Sequence, residues 1–238
     1  MINLYYDATP NGRKILMMLE EIQIPYQLRW VEIDKGQQFD PLFRTRSPSA
    51  KIPVIEDSDT GTTVFESGAI LMYLAEKTGQ LLPADEPARS DVMKWLFWQT
   101  STFGPMVGQA THFHSYASQI QVADSYASER YAKIVRSLYE DLDRRLATTD
   151  YVAGEFSIAD IALYPWVRVA KGHGVDTANL ANVNLWAKEI SKRACAKVKP
   201  QRPDGSGAFK TFRADNTSVW DALFANQKSP IQKDITNE

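Results

Sequence analysis

The rhythm of apolar positions changes twice along the chain. "INLYY" alternates as a half-buried strand does, "ILMMLEEI" places Ile15, Met18, Leu19 and Ile22 at helical spacing, and "QLRWVEI" returns to alternation. In that third run Leu28, Trp30 or Val31, and Ile33 are available for burial. These runs predict a βαβ unit. After "DKGQQFDPLFRTRSPSAKIP", read as a loop, the runs "VIED" and "TTVF" flank the turn "SDTG" and predict a β-hairpin; its short link makes the strands antiparallel. "SGAILMYLAEKTG" supplies a closing helix. The order β-α-β then β-β-α over residues 1–80 predicts a compact α/β domain of the thioredoxin kind.

"GQLLPADEPA", with two prolines and no sustained period, reads as a linker. Residues 89–198 then read as an all-α bundle domain. Its long segment "ADSYASERYAKIVRSLYEDLDRRLAT" sets Tyr131, Ile134, Leu138, Leu142 and Leu146 at spacings of three and four. In "SIADIA", Ser157 and Asp160 form a capping box with aspartate in place of glutamate. Residues 199–238 form a C-terminal extension that opens on proline and glycine. Phe209, Phe212, Trp220, Leu223 and Phe224 make it too apolar for a solvated tail, so it is expected to dock on the body.

Charge narrows the partners. In 238 residues, 27 Lys and Arg stand against 29 Asp and Glu, which gives no overall reason to bind nucleic acid or an anionic membrane. "MINLYYDATP" has no basic, apolar leader pattern and no run reaches membrane-spanning length, so the expected address is cytoplasmic. The lone cysteine, Cys195, excludes a CxxC pair. Thiol chemistry in this protein must therefore draw its sulfur from a ligand.

Three short stretches carry candidate chemistry. "TPNG" lies where a strand hands over to a helix, and the open amides and positive dipole end there can hold an anion such as a carboxylate or thiolate. In "SAKIPVIED" proline precedes a strand, either as a trans residue that starts it or through a cis Ile52–Pro53 bond that turns the Ile52 main chain outward. In "FESG", Ser67 is expected to cap the following helix beside Glu66; the pair is either an ordinary cap or a clamp for an α-amino acid. "THFH" carries no metal site, since His112 and His114 diverge on a helix, although His112, Phe113 or Tyr116 can line a pocket.

Together "TPNG", "KIP", "FESGAILMYLAEKTG" and "SIADIA" resemble the glutathione transferase family over Met1 to Ala196. "TPNG", "LFWQ", "GPMVGQ" and "ERY" are similar to its bacterial nu class, glutathione-dependent disulfide reductases with peroxidase activity in some members. The resemblance implies that Glu66 and Ser67 take the γ-glutamyl end of glutathione, Ile52 (with Pro53) pairs its main chain with the cysteinyl unit, and Lys51 and Gln38 reach the glycine carboxylate. It assigns Thr9 and Asn11 to the thiolate and Arg130 to a second glutathione. Disulfides, peroxides or electrophiles are the implied substrates, glutathione the cosubstrate, and a homodimer the assembly, with "WLFWQ" aromatics at its interface. A conjugating transferase, or a glutathione-binding regulator akin to the fungal nitrogen regulators, is the alternative. The extension departs from the class, and Trp220 and Phe224 are expected to cover the cleft.

Overall fold

The computed structural model describes residues 1–120, 124–205 and 217–225; Phe209 and Phe212 lie outside them. Strand β1 (Ile2–Tyr6) buries Ile2, Leu4 and Tyr6 completely, as its alternation requires. Helix α1 (Pro10–Ile22) returns the chain to β2 (Tyr26–Trp30), parallel to β1. The stretch read as a loop instead holds two 3-10 turns, Ile33–Lys35 and Gln37–Phe39, and a short helix α2 (Pro41–Arg44). The cause is local: Asp40 accepts from the Leu42 and Phe43 amides, and Pro41 is preset for a first helical turn. The hairpin β3 (Val54–Asp57) and β4 (Thr62–Phe65) then completes a sheet of order β2-β1-β3-β4, in which Leu4 lies between Leu28 and Ile55. Helix α3 (Ser67–Thr78) ends at Gly79 in the left-handed conformation.

The helical half comprises α4 (Ala88–Trp98), α5 (Gly104–Thr111), α6 (Ser125–Leu146), α7 (Ile158–Val167), α8 (Ala181–Lys192) and α9 (Ala194–Lys197). A π turn, Gln99–Phe103, joins α4 to α5, and a second, His112–Tyr116, follows α5. The buried face of α6 is Val135, Leu138, Tyr139, Leu142 and Leu146, so Tyr131 and Ile134 lie at its half-buried edge rather than on it. Asp160 is fully buried and accepts from the Val152 and Ser157 amides and from Trp186 Nε1 at 2.9–3.1 Å, which turns the predicted capping box into a hub for α7 and α8. Among the described residues no helix is long and apolar enough to cross a membrane.

The two halves share one core. Helix α1 packs against both α3 and α7, which also touch each other, and Leu4, Met18, Leu71, Ile161 and Leu163 belong to a single buried cluster. The extension also docks. Arg202, 3% exposed, inserts between Asp7 and Asp34, and a short helix α10 (Thr217–Trp220) with a following π turn, Asp221–Ala225, lies over the 3-10 turn at residues 33–35.

Candidate functional site

The turn between β1 and α1 is built around Asp7. Its buried carboxylate accepts from the Ala8 amide at 2.8 Å and the Ile33 amide at 3.2 Å, and its carbonyl accepts from the Thr9 amide. Thr9 is the N-cap of α1, taking the Gly12 amide on Oγ1 at 3.1 Å. A capping hydroxyl spends only a lone pair, so its hydrogen remains for a ligand. Asn11 Oδ1 accepts from Trp166 Nε1 at 3.3 Å, which leaves the Asn11 amide hydrogens as donors. Gly12 has no alternative here: a Cβ would stand 2.2 Å from the Asp7 carbonyl oxygen.

Two cavities meet at this turn. The first, about 430 Å³, is bounded by Thr9, Asn11, Gln38, Arg44, Lys51 and Ile52, with Leu223 of the extension at its edge. The second, about 450 Å³ and more apolar, is bounded by Thr111, Tyr116, Trp166, His173, Leu223 and Phe224. Thr9 lines both. Burial pushes His173 down to about 4, so it is a neutral imidazole, and its Nε2 has no hydrogen-bond partner among the described residues. Tyr5 and Tyr6 line neither cavity; Tyr5 donates to Glu56 at 2.8 Å, and Tyr6 is fully buried.

The sequence-predicted residues distribute unevenly around these cavities. The Ile52–Pro53 bond is cis, Ile52 lies outside the strand ladder, and its amide and carbonyl have no partner among the described residues. Lys51 is exposed on the first cavity, its main chain held by Ser47 Oγ. Gln38 is buried and donates one Nε2 hydrogen to the Ala222 carbonyl at 3.0 Å, which leaves its second Nε2 hydrogen as a donor on the first cavity, beside an Oε1 with no partner among the described residues. Arg44, which sequence reasoning passed over, is the second cation on that rim. Arg130 is exposed on α6 and lines neither cavity. Phe113 stacks on Tyr131 rather than lining the second cavity, whereas His112 packs against Trp220 and Phe224, of which Phe224 lines that cavity.

Ser67 differs from expectation. It is the first residue of α3, not its cap; Glu66 occupies the cap position at φ +68° and makes no side-chain cap. The first amides of α3 therefore remain open to a ligand. Ser67 Oγ instead accepts from the buried ammonium of Lys14 at 3.2 Å, which also donates to Gln99 Oε1 at 2.7 Å. No sequence motif announced this group. Cys195 is 1% exposed, and burial and the Glu21 carboxylate beside it push its thiol up to about 12, so it takes no part in either cavity.

Residues 8–77 match the family model of the glutathione S-transferase N-terminal domain. The disulfide-bond oxidoreductase YfcG of Escherichia coli K12 is 44% identical over 199 residues, covering 81% of this chain and 91% of that protein. The disulfide-bond oxidoreductase YghU of the same organism is 37% identical, covering 82% and 73%. Among solved structures, a glutathione transferase of Pseudomonas putida with one glutathione disulfide bound per subunit superposes with a TM-score of 0.78 at 38% identity, covering 82% of this chain and 89% of that one. A family member from Pseudomonas fluorescens Pf-5 with two glutathione molecules bound gives 0.76 at 36% identity, covering 82% and 90%. With 44% identity to YfcG over 81% of its length and the family's N-terminal domain matched at residues 8–77, the chain belongs to the glutathione S-transferase family.

Proposed function

We propose that the protein is a glutathione-dependent disulfide oxidoreductase in which the reacting thiols belong to glutathione. The observation that carries this reading is Thr9 at the junction of a polar and an apolar cavity, its hydroxyl hydrogen uncommitted, in a protein whose own thiol is sealed elsewhere. The γ-glutamyl carboxylate sits on the open amides of α3 and Ser67 Oγ, with the ammonium on Glu66. The cysteinyl unit adds as a strand to the main chain of Ile52 beside Pro53. Lys51 and Arg44 take the glycine carboxylate together with the second Nε2 hydrogen of Gln38, whose first holds the Ala222 carbonyl of the extension. The sulfur then lies at Thr9 and Asn11, whose donors favour the thiolate over the thiol.

From there the chemistry is two exchanges. The bound thiolate attacks a substrate disulfide, forming a mixed disulfide with glutathione and expelling one substrate thiolate. A second glutathione thiolate attacks the glutathione sulfur of that mixed disulfide, releasing the other substrate thiolate and leaving glutathione disulfide. Relatives holding one glutathione disulfide or two glutathiones per protein support room for both. Arg130, exposed on α6, is the cation for the second glutathione. By the same thiolate, a hydroperoxide is a second oxidant class, and the apolar lining of the second cavity favours conjugation of an apolar electrophile as a side reaction. Large exposed rings at Phe65 and Phe97 support a homodimer, and we place the protein in the nu class and in the cytoplasm.

The test is steady-state reduction of hydroxyethyl disulfide by glutathione. Cys195→Ser is expected to keep wild-type activity, whereas Asn11→Ala and Thr9→Ala lose tenfold or more and Thr9→Ser recovers most of it. Equal inactivity of wild type and Cys195→Ser, or loss on Cys195→Ser alone, overturns the reading.

A further inference from the structure

Lys14 is 2% exposed, among the least accessible positions in the protein, where an unpaired cation is normally excluded. Among the described residues its Nζ is reached only by neutral oxygens, Ser67 Oγ and Gln99 Oε1, so α1, α3 and the π turn after α4 converge on one Nζ. No described carboxylate forms an ion pair with it. Glu66, at the cap of α3, is the charged group that acts on it. The other titratable groups on elements packed against α1, namely Tyr5 and Tyr6 on β1, Asp160 and Tyr164 on α7, Tyr73, Glu76 and Lys77 on α3, and Cys195 and Lys197 on α9, do not.

This arrangement is incomplete in a particular way. An amine lies directly behind the hydroxyl at the start of α3, and the amides on the other side of that hydroxyl are open. Because Ser67 Oγ accepts from Lys14, its own hydrogen is directed outward, toward whatever docks on those amides. An anion there is the missing counter-charge, carried to Lys14 through one shared oxygen.

We propose that Lys14 is a positioning residue that takes up a proton when an α-amino-acid carboxylate docks at the start of α3, so that glutathione binding is coupled to protonation of a buried lysine. The inference rests on the proposed placement of the γ-glutamyl group. Burial holds the Lys14 ammonium down to about 7 in the empty protein, opposed by Glu66, so near neutral pH the empty site is a mixture of amine and ammonium. The arriving carboxylate favours the ammonium, which orders the Ser67 hydroxyl as a donor to the ligand. The reverse also holds: raising the pH through the neutral range weakens binding by removing the proton that the ligand requires.

The experiment is calorimetric titration of the wild-type protein with S-methylglutathione in buffers of equal pH and different ionisation enthalpy. This probe has no thiol, so the sulfur contributes no proton, and below pH 7.5 its amino group stays charged. The expected uptake is about 0.1 proton at pH 6 and about 0.5 at pH 7. Lys14→Met, checked for folding, is expected to bind more weakly with uptake near zero. Should that variant fail to fold, the Lys14 resonances of labelled wild-type protein are followed by NMR against pH, and their titration is expected to move up by two units or more with the probe bound. Binding without proton uptake in the wild type, or uptake that persists in Lys14→Met, overturns the proposal and leaves the glutathione reading standing. Absence of binding overturns both.

Discussion

Arg202→Met isolates the joint between the extension and the catalytic turn. Arg202 Nη2 donates to Asp7 Oδ2 at 2.6 Å and Nη1 to the two Asp34 oxygens at 3.1 and 3.0 Å, with both Arg202 and Asp7 essentially buried. Methionine keeps the apolar stem and removes the charge. Among the described residues the Asp7 carboxylate then retains the Ala8 and Ile33 amides as partners, and leaving a buried charge without its counter-charge costs about 3–5 kcal/mol. The two amides draw the expected loss toward the lower end, about 3 kcal/mol, or roughly 6–12 °C in Tm for a chain of this size. Urea unfolding at fixed protein concentration, followed by tryptophan fluorescence, reads the change. Asp7→Asn placed on Arg202→Met removes the stranded charge, so the double variant should lie at least ~1 kcal/mol above the additive sum. A single-variant loss below ~1 kcal/mol, or an additive cycle, refutes the reasoning. Because Asp7 also holds the Ala8 and Thr9 amides, disulfide reduction should fall in the folded variant as well.

Gly12→Ala drives a Cβ into the Asp7 carbonyl oxygen at 2.2 Å with the Tyr6 ring at 3.2 Å, so backbone must move; a loss of about 1–3 kcal/mol and a raised KM for glutathione are expected, and an unchanged melt and KM would contradict the packing argument. Asp160→Asn gives the Ser157 side of the capping box a donor where it needs an acceptor, and should cost about 2–4 kcal/mol at pH 7 by thermal melting. Burial pushes the Asp160 carboxyl up to about 6, above its unfolded value, so its contribution is full below about pH 4 and declines as pH rises through 6. The gap between wild type and Asp160→Asn should accordingly widen on acidification.

Elements whose determinants are close in sequence were legible there. The alternation of β1, the SDTG hairpin and the Ser157–Asp160 box each depend on a few adjacent residues, and each folds as read. The Asp40–Pro41 start of α2 was equally local but lay unread inside a presumed loop. What escaped is chiefly long-range. Trp166 reaches Asn11 across 155 positions, Gln38 meets Ala222 across 184, and Arg202 finds Asp7 across 195, so none of these pairings leaves a periodic trace. Lys14 did leave one: it lies four residues before Met18, on the apolar face of α1, where a solvated lysine has no place. Ser67 was misplaced by a single position because serine suits a cap, whereas here its hydroxyl is taken by that lysine.

The sealed thiol also makes the protein its own stopwatch. Burial and the Glu21 carboxylate hold the thiol far above the ordinary cysteine range, so almost no Cys195 thiolate is present at pH 7. A maleimide or a disulfide reagent is therefore expected to react only when α9 parts from α1, so slow labelling in the native protein is the expected result. The same reticence keeps the catalyst from being captured by its own oxidised product: glutathione disulfide can accumulate around a chain that offers it nothing to react with.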